Sequence, residues 1–407
     1  MNVRIEKSIA RGRVQAPPSK SYAHRLLICA ALSMGESRVD NLSFSEDIYA
    51  TLDCLSALGA KYKIEKNSVI FLKNDGFFAD GKVFSCRESG STLRFFIPIA
   101  LALGGSFTFK GAKRLIARGI SVYDEICKEQ GISVSYTEDT VAFNGKLKGG
   151  IFNVRGDISS QFITGLIFAL PMLDTESVIN LTTKLESRPY VDITKDAVSR
   201  FGVKVEINDS KIYVGGSQKY NAISTCVEGD YSNSAFLHAF NIFGGDVDVF
   251  GLNEDSYQGD KVYISMFEML KNGSPELDIS ECPDLGPILF AVAGANKGAL
   301  FTGTARLKIK ESDRAMAMAE ELSKFGIKLE VEENTVRVYP WAEPTLPSEI
   351  LKGHNDHRIV MALSVVASLV GGEIEGAEAV SKSYPDFFSV IKELGVKVFC
   401  DDFYKGQ

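Results

Sequence analysis

One short pattern recurs along this sequence and limits the folds that the chain can adopt. It consists of an amphipathic helix that ends at a glycine and is followed by a strand of alternating apolar residues. The five copies end their helices at Gly59, Gly131, Gly202, Gly326 and Gly395. A glycine directly after a helix is typical of a left-handed C-cap, in which a Cβ atom is unfavourable. The alternation after each glycine has the two-residue period of a half-buried strand.

The spacing of the copies indicates structural units of about seventy residues. Polar turns lead from the strands into second strands at residues 67–72 and 334–339, which predicts hairpins. The long gap between Gly202 and Gly326 leaves room for a sixth unit, and residues 266–273 before 276–279 fit a degenerate copy. Six units account for nearly the whole chain. They predict an α/β protein of two similar domains with three units each, and a ligand site between the domains.

Composition excludes several classes of function. The chain has 407 residues and a net charge of −7, which argues against a nucleic-acid-binding protein. The seven cysteines are widely spaced and form no C-x-x-C pair, so each is expected to be a small buried residue and none a metal ligand. The first ten residues do not resemble a signal peptide, and the longest uncharged run, 158–173, is too short to span a bilayer. We therefore expect a cytoplasmic protein without a membrane partner.

Three common catalytic motifs are absent. The sequence contains no G-x-x-x-x-G-K-[ST] phosphate loop and no G-x-G-x-x-G dinucleotide motif. It also lacks the G-x-S-x-G turn of α/β-hydrolases. Reactions that use ATP, NAD or an acylated serine are therefore not expected.

Cations and hydroxyls gather instead where helices are predicted to begin. A helix can start only after Pro18, so Ser19 is the natural N-cap, with Lys20, Ser21 and the first amides facing an anion site and Arg25 one turn further on. Comparable helix starts follow along the chain. They are Arg87–Arg94 around Gly90, 156–161 with Ser159, Ser160 and Gln161, 308–314, 355–358 and 381–386. His357, in the fifth of these, could be a base or a metal ligand, but a structural role is favoured because no histidine is paired with it.

Six motifs in one order make the chain resemble the 3-phosphoshikimate 1-carboxyvinyltransferase family, also called 5-enolpyruvylshikimate-3-phosphate synthases. They are P-x-S-K-S-x-x-x-R from Pro17, S-G-[ST]-x-x-R from Ser89, S-S-Q from Ser159, K-E-[ST]-D-R from Lys310, N-D-H-R from Asn355 and K-[ST]-[YF]-P-D-[FY] from Lys382. The resemblance implies two domains of three βαβαββ units each, an inside-out α/β barrel. It places residues 1–18 and 227–407 in one domain and 19–226 in the other.

The resemblance also implies the reaction and its residues. The family transfers the enolpyruvyl group of phosphoenolpyruvate to the 5-hydroxyl of shikimate 3-phosphate by addition and elimination, releasing phosphate, on the route to chorismate and aromatic amino acids. Matched positions for shikimate 3-phosphate are Lys20, Ser21, Arg25, Ser159, Ser160, Gln161, Ser187, Asp284 and Lys310, with Tyr190 beside them. Those for phosphoenolpyruvate are Lys20, Gly90, Arg118, Gln161, Arg314, Arg358 and Lys382, with Arg94 nearby. Asp284 matches the base, and Glu311 or Lys20 is the candidate acid. We expect a monomer without cofactor or metal that closes on shikimate 3-phosphate.

One residue departs from the family pattern. Arg306 stands where many family members have asparagine, which puts one contact to the shikimate ring or its phosphate in doubt.

Two alternative functions stay open at this point. The UDP-N-acetylglucosamine 1-carboxyvinyltransferase family shares the donor, but it carries a reactive cysteine five residues before an arginine. Here that position is Lys113, five residues before Arg118, and Cys127 is expected to be a packing residue. The second alternative is a non-catalytic two-domain anion-binding protein, in which Asp284 and Glu311 would have no catalytic role.

Overall fold

A computed structural model describes residues 1–74 and 76–400 of the chain. The backbone forms two compact units. The first unit comprises residues 1–17 and the chain from Gly229 onward, and the second comprises Pro18–Glu228. Each unit has its own hydrophobic core.

The elements are numbered in chain order. The helices are α1 Lys20–Leu32, α2 Glu46–Leu58, α3 Gly90–Leu103, α4 Lys113–Ala117, α5 Ser121–Gln130, α6 Ser160–Ala169, α7 Arg188–Arg200, α8 Tyr231–Ala239, α9 Tyr263–Asn272, α10 Gly286–Ala295, α11 Arg314–Lys324, α12 His357–Val370 and α13 Phe387–Glu393. The strands are β1 Asn2–Glu6, β2 Arg11–Gln15, β3 Ser37–Asp40, β4 Tyr62–Glu65, β5 Ser68–Phe71, β6 Val83–Arg87, β7 Gly105–Gly111, β8 Ser133–Tyr136, β9 Thr140–Gly145, β10 Ile151–Val154, β11 Ser177–Leu181, β12 Val205–Ile207, β13 Lys211–Val214, β14 Ser224–Cys226, β15 Asp246–Phe250, β16 Glu276–Asp278, β17 Ala299–Thr302, β18 Leu329–Val331, β19 Thr335–Val338, β20 Leu351–Lys352, β21 Gly372–Glu375 and β22 Lys397–Cys400. Short 3-10 helices occupy Leu170–Met172, Gly259–Val262, Pro283–Leu285, Ala305–Ile309 and Ala377–Lys382.

Three small sheets of one design make up the second unit. Two of them are continuous in sequence and have the strand orders β6-β7-β9-β8 and β10-β11-β13-β12. In each, a parallel pair joined through a helix is followed by an antiparallel hairpin. The third sheet has the order β14-β3-β5-β4, so its first strand comes from the end of the unit rather than its beginning. The predicted βαβαββ repeat is confirmed here.

The first unit contains one continuous repeat and two modified ones. Strands β16-β17-β19-β18 form the continuous sheet. In the sheet β20-β21-β1-β22, the N-terminal strand β1 pairs antiparallel with both of its neighbours and completes a repeat that begins some 350 residues later. Strands β15 and β2 form a parallel pair. Sheet completion by distant segments joins the two ends of the described chain.

The five predicted glycine caps are confirmed, and the proposed sixth copy is wrong in its details. Gly59, Gly131, Gly202, Gly326 and Gly395 have φ values of 109°, 69°, 82°, 88° and 92°. The helix α9 instead ends at an extended glycine, at residue 273, with φ −164°. The following strand β16 pairs parallel with β17 and so opens the next repeat. The helix and the strand of the predicted sixth copy are therefore present, but no hairpin follows α9.

Long apolar helices lie at the centre of each unit. Helix α3 in the second unit and α12 in the first are buried along almost their whole length, because they are apolar on every side. Strands such as β10 alternate exposed and buried residues. The predicted burial of the cysteines is correct for five of the seven, including Cys127, while Cys400 is only partly buried. It is wrong for Cys226, whose edge strand β14 is only three residues long and leaves it exposed. No helix in the described ranges, 1–74 and 76–400, has the length and apolarity needed to cross a membrane.

Candidate active site

Helix α1 begins as the sequence predicts. Ser19 has extended backbone geometry and its hydroxyl accepts a hydrogen bond from the Tyr22 amide. The next residue, Lys20, forms an ion pair with Asp47 on α2, with Nζ and Oδ2 2.8 Å apart. The pair is partly exposed, so the ammonium is held in place and still reachable by a ligand. Asp47 was missed in the sequence because no short motif connects it with Lys20.

Arg25 is buried and joins α1 to α7. Its Nε donates to Thr194 Oγ1 at 2.8 Å, and its Nη2 donates to the Tyr190 carbonyl oxygen at 3.0 Å. Its Nη1 donates to the carbonyl oxygen of Ser21 at 2.7 Å. Burial lowers the pKa of Arg25 to about 10, so the guanidinium stays charged at neutral pH. The side chain therefore positions the backbone of two residues, Ser21 and Tyr190, that sequence matching placed at the site.

A second group of predicted residues meets where α3 and α6 begin. Arg94 Nη1 donates to Gln161 Oε1 at 2.7 Å, and Gln161 Nε2 donates to Ser91 Oγ at 3.0 Å. A Cβ atom built on Gly90 would lie 3.0 Å from Arg94 Nη1 and 3.4 Å from Arg118 Nη1. Glycine thus allows two guanidinium groups to approach the backbone of one turn. Such a turn, at a helix N-terminus with two nearby cations, is suited to a phosphate or carboxylate.

Three predicted serines lie at helix starts in the same unit. Ser159 caps α6 by accepting a hydrogen bond from the Gln161 amide, and Ser160 is the first residue of that helix. Ser187 precedes α7 in a left-handed conformation, with φ 55°. Strain of this kind in a non-glycine residue is common at functional sites. Lys113, which stands at the position of the sister family's reactive cysteine, begins the short helix α4.

In the first unit, one buried arginine connects three carboxylates. Arg314 is 1% exposed at the start of α11. Its Nη1 lies 2.7 Å from Asp284, its Nη2 lies 2.8 Å from Glu311, and its Nε lies 2.9 Å from Asp356. These contacts bring together Asp284, Glu311 and Arg314, three residues that the family resemblance had assigned to the site. Asp356 lies inside the quoted N-D-H-R motif, but the sequence alone did not show its role.

Asp284 faces two further cations. Lys310 Nζ lies 3.2 Å and Arg358 Nη2 lies 3.6 Å from its carboxylate. Burial alone would raise the pKa of Asp284, but the charges of Lys310, Arg314 and Arg358 outweigh it and hold that pKa well below its usual range. Burial lowers the pKa of Lys310, and the charge of Arg314 lowers it further. Lys310 is thus a more acidic ammonium than an ordinary lysine.

The loop before α12 brings the last motifs together. Lys382 Nζ donates to the Asn355 carbonyl oxygen at 2.7 Å. Asp356 caps α12 by accepting a hydrogen bond from the Arg358 amide at 2.9 Å. His357 is the buried first residue of that helix. The turn at Asn355 and Asp356 therefore contacts both the Lys382 side chain and the Arg358 backbone.

One acidic residue near this cluster carries no sequence signal. Asp260, in the 3-10 helix Gly259–Val262, is buried and accepts a hydrogen bond from Ser232. Burial raises its pKa to about 7, and the nearby charge of Asp284 contributes to that rise. Only a three-dimensional structure could identify this group, because its burial depends on residues distant in sequence.

One group of side chains in the described ranges could offer three ligand atoms to a metal ion. Atoms of Glu320, Glu321 and His354 lie within 4.8 Å of one another. However, the Lys324 ammonium lies 2.8 Å from Glu321 and already neutralises it. The group lies outside the predicted motifs, and we assign it no metal. The expectation that the protein needs no metal or cofactor stays a prediction.

Comparison with known proteins shows which family the chain belongs to. The sequence model of EPSP synthase (3-phosphoshikimate 1-carboxyvinyltransferase) matches residues 5–391. The chain belongs to the EPSP synthase family. Curated members that it resembles include the 3-phosphoshikimate 1-carboxyvinyltransferases of Clostridium kluyveri, 40% identical over 97% of this chain and 98% of that protein, and of Clostridium acetobutylicum, 40% identical over 97% of each.

Solved structures show the same fold at lower identity. EPSP synthase from Acinetobacter baumannii superimposes with a TM-score of 0.79 and 21% identity, over 98% of this chain and 99% of that one. The enolpyruvyl transferase NikO from Streptomyces tendae gives a TM-score of 0.78 with 12% identity, over 98% of each chain. The fold predicted from the repeats is thereby confirmed. Membership of the EPSP synthase family rests on the sequence matches.

Proposed function

We propose that this chain catalyses the EPSP synthase reaction, in which the enolpyruvyl group of phosphoenolpyruvate is transferred to the 5-hydroxyl of shikimate 3-phosphate and phosphate is released. The observation that carries the proposal is the family match over residues 5–391. The six motifs behind that resemblance lie in two groups of cations and helix starts, one in each unit. The reaction belongs to the shikimate pathway, which leads to chorismate and aromatic amino acids. We also propose that the predicted division into 19–226 and the remainder separates the two functional domains.

Shikimate 3-phosphate carries a phosphate and a carboxylate, and each group needs positive or N–H partners. In the second unit we assign its binding to Lys20, Ser21, Arg25, Ser159, Ser160, Gln161 and Ser187, with Tyr190 beside them. In the first unit we assign it to Asp284 and Lys310. The partly exposed ion pair of Lys20 with Asp47 supports this role, because it orients an ammonium that a ligand can still reach. Arg25 contributes chiefly by holding Ser21 and Tyr190, since its nitrogens already donate to protein oxygens.

Phosphoenolpyruvate has the same two kinds of anionic group on a smaller frame. We assign its contacts in the second unit to Lys20, Gly90, Arg118 and Gln161, with Arg94 next to them. In the first unit we assign them to Arg314, Arg358 and Lys382. Arginine suits this task because its planar fork binds carboxylate and phosphate through two parallel hydrogen bonds. Fixed cations also stabilise the charge of a tetrahedral intermediate.

Proton transfer is assigned to three residues. Asp284 accepts the proton of the 5-hydroxyl, and Glu311 or Lys20 donates a proton to the methylene carbon of phosphoenolpyruvate. The three cations around Asp284 make it a weak base in the free protein. Substrate anions that engage Lys310, Arg314 and Arg358 would reduce their effect and raise the basicity of Asp284. The base would therefore become active when substrate is bound.

Phosphate release from a mixture of phosphoenolpyruvate and shikimate 3-phosphate tests the proposal. The wild-type protein is expected to release phosphate only when both compounds are present. Asp284→Asn is expected to lose most of that activity, and UDP-N-acetylglucosamine should not replace shikimate 3-phosphate. Turnover with UDP-N-acetylglucosamine alone as acceptor would identify the sister reaction. Binding of both anions without phosphate release would indicate a non-catalytic binding protein.

A further inference from the structure

A chain of buried hydrogen bonds runs between three helices of the second unit. His24 on α1 lies with Nδ1 2.7 Å from Thr51 Oγ1 on α2. Thr51 Oγ1 lies 2.9 Å from Thr92 Oγ1 on α3. Thr92 Oγ1 in turn donates to Ser89 Oγ at 2.8 Å. This chain of hydrogen bonds therefore joins α1, the helix that carries Lys20, to Ser89, the residue just before Gly90.

All four members of the chain are shielded from solvent. His24 and Ser89 are 1% exposed, and Thr51 and Thr92 are 0% exposed. Ser89 is also the N-cap of α3, where its hydroxyl accepts a hydrogen bond from the Thr92 amide at 3.2 Å. Because water cannot replace these bonds, each one fixes the relative position of the groups that it joins.

The surroundings of His24 indicate which group donates in each of these hydrogen bonds. Burial lowers the pKa of His24 well below its usual range, and the charges of Lys20 and Arg25 lower it further, so the ring is neutral. A neutral ring carries one N–H group, and its Nε2 has no hydrogen-bond partner among the residues that the structure describes. A buried N–H without a partner is rarer than an unused acceptor, so we place the proton on Nδ1. The donors then point in sequence from His24 through Thr51 and Thr92 to Ser89.

We infer that His24, Thr51 and Thr92 are positioning residues for phosphoenolpyruvate. They act by fixing the position of the 89–91 turn relative to α1. The inference rests on the proposed function, because that function places phosphoenolpyruvate at Gly90. The turn has little tolerance for displacement. Arg94 and Arg118 approach the Cα of Gly90 closely, and Gln161 hydrogen-bonds to Ser91. Cutting the chain would leave these cations in place while the turn between them moves.

Thr51→Val removes the central hydroxyl and keeps the shape of the side chain. We expect the KM for phosphoenolpyruvate to rise about tenfold, the effect of losing roughly one buried hydrogen bond. The KM for shikimate 3-phosphate and kcat should each change less than about threefold. Thr92→Val cuts the next link and should give the same split, which provides a second variant if the first folds poorly. Thr51→Ser keeps a hydroxyl and should restore the KM for phosphoenolpyruvate.

A matched control lies at the other end of α1. The Ser33 hydroxyl is buried and lies 2.8 Å from Ser37 Oγ, so Ser33→Ala removes a comparable hydrogen bond away from the turn. It should lower the melting temperature as much as Thr51→Val without changing either KM. Equal rises in both KM values for Thr51→Val, or the same KM change in Ser33→Ala, would overturn the inference.

Amide hydrogen exchange keeps the inference separate from the proposed function. In the protein without substrate, Thr51→Val should speed exchange in residues 88–95, and Ser33→Ala should not. Unchanged exchange there would refute the positioning role, whatever the activity. A wild-type protein that releases no phosphate, but whose exchange responds as expected, would refute the proposed reaction and leave the structural role of the chain standing.

Discussion

Glu321 offers a sharp test of how buried and exposed ion pairs differ in this protein. Its carboxylate is 0% exposed on α11 and accepts three hydrogen bonds. The donors are Lys324 Nζ and the Lys352 amide, both at 2.8 Å, and His354 Nε2 at 2.9 Å. The Lys352 amide lies at the end of β20, and His354 lies in the loop that leads from β20 into α12. Glu321 therefore holds that loop against α11.

Glu321→Ala should be strongly destabilising. Removing one partner of a buried ion pair costs about 3–5 kcal/mol, because the remaining charge and donors stay buried. A unit of this size loses about 2–4 °C in melting temperature for each kcal/mol, so we expect a fall of roughly 6–20 °C. The loop should also relax, since His354 and Asn355 have left-handed φ values of 50° and 53°. Because the Asn355 carbonyl oxygen holds Lys382, the KM for phosphoenolpyruvate should rise severalfold.

Glu330→Ala is the matched control. Glu330 lies on β18 and pairs with Lys328 at 2.6 Å, a shorter distance than any at Glu321, but both side chains are largely exposed. Exposed pairs contribute little because water and salt screen them. We expect no measurable change in melting temperature or KM. Calorimetry and steady-state kinetics on both variants decide the matter. Similar losses in the two variants would refute the reasoning from burial.

Three further predictions concern the site. The Gly90→Ala protein should fold normally, but its KM for phosphoenolpyruvate should be at least severalfold higher, because the added methyl group would lie 3.0 Å from Arg94 Nη1. Steady-state kinetics and a melting curve check this. The pKa of Asp260 is raised to about 7, so the folded protein keeps a proton that the unfolded chain releases near pH 4. The free energy of unfolding should therefore fall as the pH rises from about 4 to 7. Asp260→Asn should reduce that fall, which melting temperatures at pH 5 and pH 8 would detect. Asp284→Asn should lower kcat by about 10²–10⁴-fold, and in the wild type the acidic limb of kcat should lie at higher pH than that of kcat/KM.

The repeats could be predicted from the sequence because their signals are local. A left-handed glycine and an alternating strand lie within ten residues of each other, and all five caps have the predicted conformation. Sheet completion is not local. Strand β14 closes a sheet that starts at β3, and β1 pairs with β21 and β22 near the other end of the described chain. The sixth copy misled because Gly273 resembles the other glycines in sequence and differs only in its backbone conformation.

The site shows the same division. Short motifs singled out Lys20 and Arg314, because cations and small polar residues before a helix are visible in a sequence, and Asp284 was matched only through the family resemblance. Their partners were not visible, since Asp47 lies outside the motifs and the motif that contains Asp356 does not show that it pairs with Arg314. Arg25 shows a second limit, because the motif gives its position but not that its nitrogens donate to α7 and to Ser21. Partner choice is set by packing between elements that are distant in the chain.

The charges around Asp284 explain why its basicity should depend on substrate. Three cations, Lys310, Arg314 and Arg358, face three carboxylates, Asp284, Glu311 and Asp356. The formal charges of the free cluster therefore balance, and its cations hold the pKa of Asp284 well below its usual range. A substrate anion that enters adds negative charge to this balanced set and competes for the same guanidinium groups. The proton affinity of Asp284 must then rise, because less positive charge remains to stabilise its ionised form. Under the proposed function, Asp284 would then accept the hydroxyl proton only when the acceptor substrate is in place.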